Sequence, residues 1–456
     1  RQMCIRDRRG RGRGEGLGKG QKMNATRIAF FAAFRPLRPG AEEIVAPLIE
    51  ETRAFLAEWG QLLAFEPLVT TVEEGQQAVE ELLSKNPDIF AVLVTGGTER
   101  IVQSAFRDVD LPLVLLACDR ANSLAAALEM LPRLRDMGKD VKLIFVERYD
   151  EAVSETFENF LATRRAVQRL KDTTLGIFGS LSPWLIGCAS DYRLLEDRFG
   201  LTVKHVDLLA LYQEFQEIPL DIAQEKAREI LDGVGELKEP SFEALVGATR
   251  LYLAARNIAD RERLDALTVK CFDVLPAVDN TMCLALSKLN DEGIVAGCEG
   301  DINAALSMLL LHYLTGRPAW MANPVSINRE RNTLTLAHCT VAMGLIPDRR
   351  SIVLRSHFES GRGVAVQGPL AEGKVTLARL GGARLDRMMI LPGEVVASDM
   401  GYGYMCRTQA EVKLRGSVED FLDKSLGNHL ALVSGDVVER LAEVCALLRT
   451  EPVTIC

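Results

Sequence analysis

From Thr26 onward the chain alternates short apolar runs with longer stretches in which apolar residues recur every three or four positions. The runs 28–32, 63–70, 89–95, 113–118 and 141–146 predict strands, and the stretches 41–59, 76–84 and 123–137 predict helices. Strands alternating with helices imply a parallel sheet covered on both faces, because each crossover helix packs back across the sheet. The alternation restarts at 174–178 and continues through 203–208, helices 221–232 and 242–260, strand 266–271, helix 280–292 and strand 294–298. Beyond about residue 345 it gives way to short runs at 351–355, 363–367, 374–379, 388–391, 394–398 and 410–414, separated by Gly, Pro and Asp turns, with one helix at 437–448. Such spacing suggests a barrel or sandwich. The expected fold class is α/β, with two doubly wound parallel-sheet domains at 23–168 and 169–345, then a C-terminal β-rich, barrel-like domain at 346–456.

Apolar residues make up 48% and charged residues 26% of the 456, a globular balance far from the signature of disorder. Charge is uneven along the chain. Residues 1–22 carry six Arg and two Lys against Asp7 and Glu15, or +6, so a total of −9 leaves −15 on the rest. We expect 1–22 to be a disordered or artefactual tail, a cloning or assembly product, with Met23 as the natural start. The rival reading is an Arg-Gly arm for nucleic acid, disfavoured by an acidic body without stacking aromatics nearby. No apolar run approaches the ~20 residues of a membrane span, and no apolar segment marks the start as an export signal. Ten cysteines without CxxC spacing read as free thiols of a cytoplasmic protein, with no structural disulfide. No nucleic-acid or membrane partner is expected.

The most informative stretch is Ile294-Val295-Ala296-Gly297-Cys298-Glu299-Gly300-Asp301, followed by an apolar helix. It sets a carboxylate at the carboxyl end of a strand, the edge at which open α/β sheets bind ligands. Glu299 is a candidate metal ligand or base; alternatively, Asp301 caps the next helix and Glu299 is merely solvated beside it. Of five histidines, His338, His357 and His429 stand at element ends, whereas His205 and His312 look structural. Imidazoles beside a carboxylate suit Mn²⁺, Zn²⁺ or Fe²⁺. The cluster His357-Phe358-Glu359-Ser360-Gly361-Arg362-Gly363 gathers a base, a carboxylate and a cation, to bind substrate hydroxyls or to make a tight hairpin with a salt bridge. The turns 95–99 and 179–184, the latter ending on Trp184, offer N–H groups to an anion or to sugar oxygens. GxGxxG, P-loop, GxSxG and HExxH motifs are absent, which removes the common nucleotide, hydrolase and zincin readings.

Taken in order, Cys298-Glu299-Gly300-Asp301, Leu336-Ala337-His338-Cys339 and Gly427-Asn428-His429 resemble the L-fucose and L-arabinose isomerase superfamily, particularly its fucose-isomerase-like members. The likeness spans roughly residues 26–450 and includes 270–293, the approach to the Glu-Gly-Asp motif. It implies a metal-dependent aldose to ketose interconversion through an enediol, with Mn²⁺ or another divalent transition ion, and a trimeric or hexameric homo-oligomer. Carried over, Glu299 is a metal-binding acid/base, His338 and His429 are metal ligands, and Asp301 is an accompanying carboxylate. One departure stands out: Asn323 occupies the place of the family's second carboxylate, and an amide ligates but cannot serve as a base. Glu359 is the expected replacement. The expected site is thus catalytic Glu299, Asp301 and Glu359; substrate-binding Asn323, His357, Arg362 and Trp184; and metal-binding Glu299, His338, His429 and Asn323. The alternative is a non-catalytic or divergent sugar-binding protein on the same fold.

Overall fold

A computed structural model describes residues 26–36, 40–188 and 191–456; the tail expected at 1–22 lies outside them. The chain divides into two compact units, with the break between Arg164 and Arg165. The first contains β1 (Arg27–Ala33), α1 (Ala41–Trp59), β2 (Gln61–Ala64), α2 (Val72–Ser84), β3 (Ile89–Val94), α3 (Glu99–Ala105), β4 (Leu113–Cys118), α4 (Ser123–Asp136), β5 (Val141–Val146) and most of α5 (Glu151–Lys171). Its strands form one parallel sheet in the order β2-β1-β3-β4-β5. The central strands β1, β3 and β4 are nearly unbroken apolar runs because helices bury both faces. Edge strand β5 has one face less covered, and Phe145 is exposed there.

Two boundaries differ from the apolar pattern. β2 ends at Ala64 rather than near residue 70, because Pro67 has no N–H for the ladder; beyond it the chain stays beside β1 through Phe65 N–H to the Phe30 carbonyl, Val69 N–H to that of Ala32 and Phe34 N–H to that of Val69. α2 starts at Val72 rather than 76 because Thr71 and Glu74 close a capping box ahead of the apolar period.

The second unit opens with β6 (Thr174–Phe178), α6 (Tyr192–Phe199), β7 (Thr202–Val206), α7 (Leu208–Glu217), α8 (Leu220–Asp232), β8 (Glu236–Leu237), α9 (Phe242–Glu262), β9 (Ala266–Val269), α10 (Cys271–Val278), α11 (Cys283–Asp291), β10 (Val295–Gly297) and α12 (Ile302–Thr315). Strands β10-β9-β6-β7 make a second parallel sheet. There follow β11 (Trp320–Asn328), β12 (Thr333–His338), β13 (Val353–Arg355), β14 (Ala365–Gln367), β15 (Gly373–Gly381), β16 (Arg387–Ser398), β17 (Thr408–Leu414), α13 (Val418–Lys424), β18 (Leu430–Ser434), α14 (Val438–Leu447) and β19 (Glu451–Thr454). Six of these close an antiparallel barrel in the order β15-β18-β11-β12-β17-β16 and back to β15, with β19 added in parallel outside β16. The expected α/β class with a barrel-like end is the observed one. The runs at 388–391 and 394–398 form a single strand, β16, in which Pro392 keeps only its carbonyl for bonding, accepting from Arg415 N–H. α12 joins the two layers. It is buried almost all round and packs against β10 on one side and β15 and β18 on the other, as a helix without a polar face must.

Candidate active site

β6, β9 and β10 are neighbours in one parallel sheet, so the loops leaving their carboxyl ends lie together. They carry Trp184, the pair Cys271 and Phe272, and Glu299. The barrel contributes from three adjacent strands. Asn323 on β11 pairs with Ala337, next to His338 at the end of β12, and Ala322 pairs with Leu430, next to His429. Register alone therefore brings Asn323, His338 and His429 to one end of the barrel.

Glu299 adopts a left-handed backbone with φ 61°, followed by Gly300 at φ 70°. A non-glycine residue in that region carries strain of about 1–3 kcal/mol and persists only where its surroundings over-determine it. Here they do: Ser182 N–H donates to the Glu299 carbonyl at 3.0 Å, and Gly300 N–H to that of Val269 at 2.9 Å. A Cβ at residue 300 would sit 2.3 Å from the Ser180 carbonyl oxygen, so glycine is required. The turn 179–184 thus serves to grip the Glu299 loop. Trp184 Nε1–H donates to Glu299 Oε2 at 2.6 Å, and Glu299 Oε1 lies 3.4 Å from His429 Nε2.

Glu299, His338 and His429 each offer a ligating atom within 4.8 Å of the other two. His429 Nδ1 is 2.8 Å from Asp301 Oδ2; an ionised carboxylate only accepts, so a proton sits on Nδ1, and in the neutral ring, the form that ligates a metal, Nε2 presents its lone pair. That Nε2 is buried and, apart from Glu299 Oε1 at 3.4 Å, meets no polar partner among the described residues. His338 Nδ1 lies 2.8 Å from Thr340 Oγ1, a contact that orients the ring and leaves its Nε2 for a ligand. Two bare imidazole nitrogens and a carboxylate oxygen form a donor set suited to a divalent transition ion, and an ion there would satisfy the orphaned nitrogen. A buried carboxylate behind a ligating histidine is the usual means of fixing its tautomer. Asp301 also caps α12, its Oδ1 accepting from Ala304 N–H at 2.8 Å, so capping and histidine orientation coexist in one side chain.

Burial sets the charge pattern. It pushes the Glu299 carboxyl up, but His429, Trp184 and His338 outweigh it and hold the group below its ordinary value. Burial, then the charge of His429, lowers His338 to about 4. Burial also opposes charge on His429, yet the Asp301 and Glu299 carboxylates raise it. Asp301 is held down against burial by Arg379 and His429.

An open cavity is lined by five of the expected residues: Glu299, Asn323, His338, His357 and Glu359. Asn323 Oδ1 accepts from Asn428 Nδ2 at 3.3 Å. Trp184, expected to bind substrate, is not among the lining residues; it stands edge-on to Phe272 at 5.2 Å, and Phe272, which lines the cavity, stands edge-on to His357 at 5.9 Å. Arg362 is not among the lining residues; it pairs with Asp279 at 2.8 Å, both side chains exposed. The loop 357–363 is a closed turn, as the hairpin reading has it, while His357 and Glu359 line the cavity. His205 and His312 each engage a backbone carbonyl, that of Ile177 and of Arg317. Sequence reasoning overlooked the sulfur-rich wall of Cys271, Cys283, Cys298, Cys339 and Cys406, whose thiols are scattered over 136 positions. It also overlooked Arg379, though a lone Arg between Ala378 and Leu380 in an apolar strand is a visible signal.

No family model matches the chain. It is similar to proteins named sulfoquinovose isomerase. That of Alkalicoccus urumqiensis is 24% identical over 434 residues, covering 91% of this chain and 96% of its own length. That of Priestia megaterium is 24% identical over 410 residues, 86% of this chain and 90% of its own. That of Clostridium sp. (strain MSTE9) is 26% identical over 347 residues, 73% of this chain and 76% of its own.

Proposed function

We propose that this protein is a sugar aldose–ketose isomerase that works through an enediol, with a divalent transition ion held by Glu299, His338 and His429. The observation that carries the reading is the convergence of those three ligating atoms within 4.8 Å of one another, beside a cavity that Glu299 and His338 line, with His429 Nε2 buried behind them. The relatives named sulfoquinovose isomerase, matched over most of their length, support it. A divalent ion bound there supplies charge that polarises the sugar carbonyl and stabilises the enediolate. The chain's own residues do the rest. His338 and His429, each engaged at Nδ1, leave Nε2 to the ion in their neutral forms. Glu299, fixed by Trp184, moves a proton between C1 and C2. Glu359 supplies the second carboxylate of the cavity wall, and Asn323 an amide in place of an acid. The Phe272 and His357 rings of the cavity wall offer faces for sugar C–H groups. The resemblance adds Mn²⁺ as the ion and a trimeric or hexameric homo-oligomer, testable by metal analysis and sedimentation.

The test is deuterium incorporation at C1 and C2, read by NMR, for protein in D₂O with Mn²⁺ and a panel of pentoses, 6-deoxyhexoses and sulfoquinovose. Metal-dependent exchange that disappears in Glu299→Gln is the expected result. Asn323 favours a second reading, a sugar-binding protein without turnover, and saturable binding with no exchange on any sugar of the panel would establish it over the first.

A further inference from the structure

Arg379 lies on β15 with none of its side chain exposed, deep behind the cavity. Its Nη1 donates to Asp301 Oδ2 at 2.7 Å and to the His429 carbonyl at 3.0 Å, and its Nη2 to Cys188 Sγ at 3.1 Å. The Cys188 thiol in turn donates to Asp301 Oδ1 at 3.3 Å. Gly427 exists in this form for the same group: a Cβ there would fall 2.8 Å from Nη2 and 2.9 Å from Nε. The Gly-Asn-His motif is thus a guanidinium seat followed by a histidine.

A buried ion pair is a poor way to stabilise a fold, because desolvation consumes most of the attraction and a well-packed apolar pair does as well or better. Arg379 and Asp301 therefore call for another explanation, and the bond pattern provides it. One guanidinium holds both the carboxylate against which the His429 ring leans and the backbone carbonyl of His429. Ring and main chain are fixed together, which fixes the direction of Nε2.

We propose that Arg379 is a positioning residue of this site, orienting His429 for the metal ion through Asp301 and the His429 carbonyl. This rests on the reading of His429 as a ligand. A lysine in the same place keeps the charge but has a single ammonium in place of the planar fork, so it cannot span Cys188, Asp301 and the His429 carbonyl together.

The test titrates metal-depleted protein with Mn²⁺ and reads free ion by electron paramagnetic resonance, with folding checked by circular dichroism. Wild type should bind, and His429→Gln should not; no binding by wild type would sink the metal reading and this proposal with it. Arg379→Lys should fold and bind Mn²⁺ about tenfold to a hundredfold more weakly, the range for lost support behind a ligand. Wild-type binding with Arg379→Lys within about twofold of it would overturn the positioning role alone. Arg379→Met leaves Asp301 as an unpaired buried charge and can fail to fold, so the double variant Arg379→Met with Asp301→Asn separates folding from affinity. Its denaturation midpoint should return to that of wild type while Mn²⁺ affinity stays at least about tenfold reduced. Affinity recovering together with stability would mean that the pair serves the fold and nothing else.

Discussion

The two parallel sheets of this protein are built from the same strand–helix grammar, yet the polar groups at their carboxyl ends behave differently. In the first unit they satisfy one another. Thr98 Oγ1 donates to the Thr95 carbonyl, Thr95 Oγ1 to that of Ala33, and Ser123 Oγ to that of Val94. In the second unit Glu299 is held in a left-handed conformation, and His429 Nε2 is buried with no polar partner but Glu299 Oε1 at 3.4 Å among the described residues. The helix caps repeat the contrast. Thr71 caps α2 with a local box, whereas Asp301 caps α12 and also bonds Arg379, His429 and Cys188. Grammar makes a sheet; groups left unsatisfied at a shared point mark the site. Such groups persist because surrounding structure over-determines them.

The comparison breaks most visibly in catalysis. Glu299→Gln should lower deuterium exchange by ~10²–10⁴-fold, the range for a lost acid/base group, while Glu99→Gln, in the equivalent place after β3, should change it by less than about twofold. Equal losses would erase the distinction between the two sheets. Next come the caps. Asp301→Ala strands the Arg379 charge and should reduce stability by about 3–5 kcal/mol, against about 1 kcal/mol for Thr71→Ala; urea unfolding of both variants measures the gap.

The acid response should come from the second unit. His338 has a folded pKa of about 4 against an ordinary 6.5, so the unfolded chain takes its proton first. In the metal-free protein its contribution is intact above pH 6.5 and disappears as pH falls toward 4, by about 3 kcal/mol at 1.36 kcal/mol per pKa unit. Asp301, lowered from 3.8, extends the loss further into acid, whereas the raised His429 contributes below pH 6.5 and loses its contribution as pH rises through its folded value. Unfolding curves at stepped pH check this, and His338→Gln should remove most of the slope between 6.5 and 4. The smallest effect separates two left-handed glycines. Gly300→Ala drives a Cβ to 2.3 Å from the Ser180 carbonyl, while Gly97→Ala meets the flexible Arg35 side chain at 2.8 Å. We expect about 3 kcal/mol for the first and about 1 kcal/mol for the second in denaturation midpoints.

Much of the fold was legible because local signals agreed with it. Apolar runs at 28–32, 89–95 and 113–118 could only be strands buried on both faces. The errors have local causes of their own: Pro67 ended β2 early, and the Thr71–Glu74 box started α2 before its apolar period began. Strands β11 and β18 escaped notice, although Leu430-Ala431-Leu432-Val433 is an apolar run, and without them the barrel does not close. In the site, Glu299, His338 and His429 could be named from scarcity and position at element ends. The sulfur wall could not, because its thiols come from segments far apart in the chain, and the lone Arg379 in an apolar strand, though visible, gave no hint of partners up to 191 positions away.

Chain order and residue type were enough to specify two parallel sheets, a β-rich end and a short list of groups able to bind a metal and a sugar, since periodicity and side-chain chemistry are local properties. Which of those groups converge was settled by register across β18-β11-β12, by strand order at the β6-β9-β10 edge, and by one buried guanidinium against Gly427. These are distances between segments far apart in the chain, and they exist only once the barrel has closed beside the sheet.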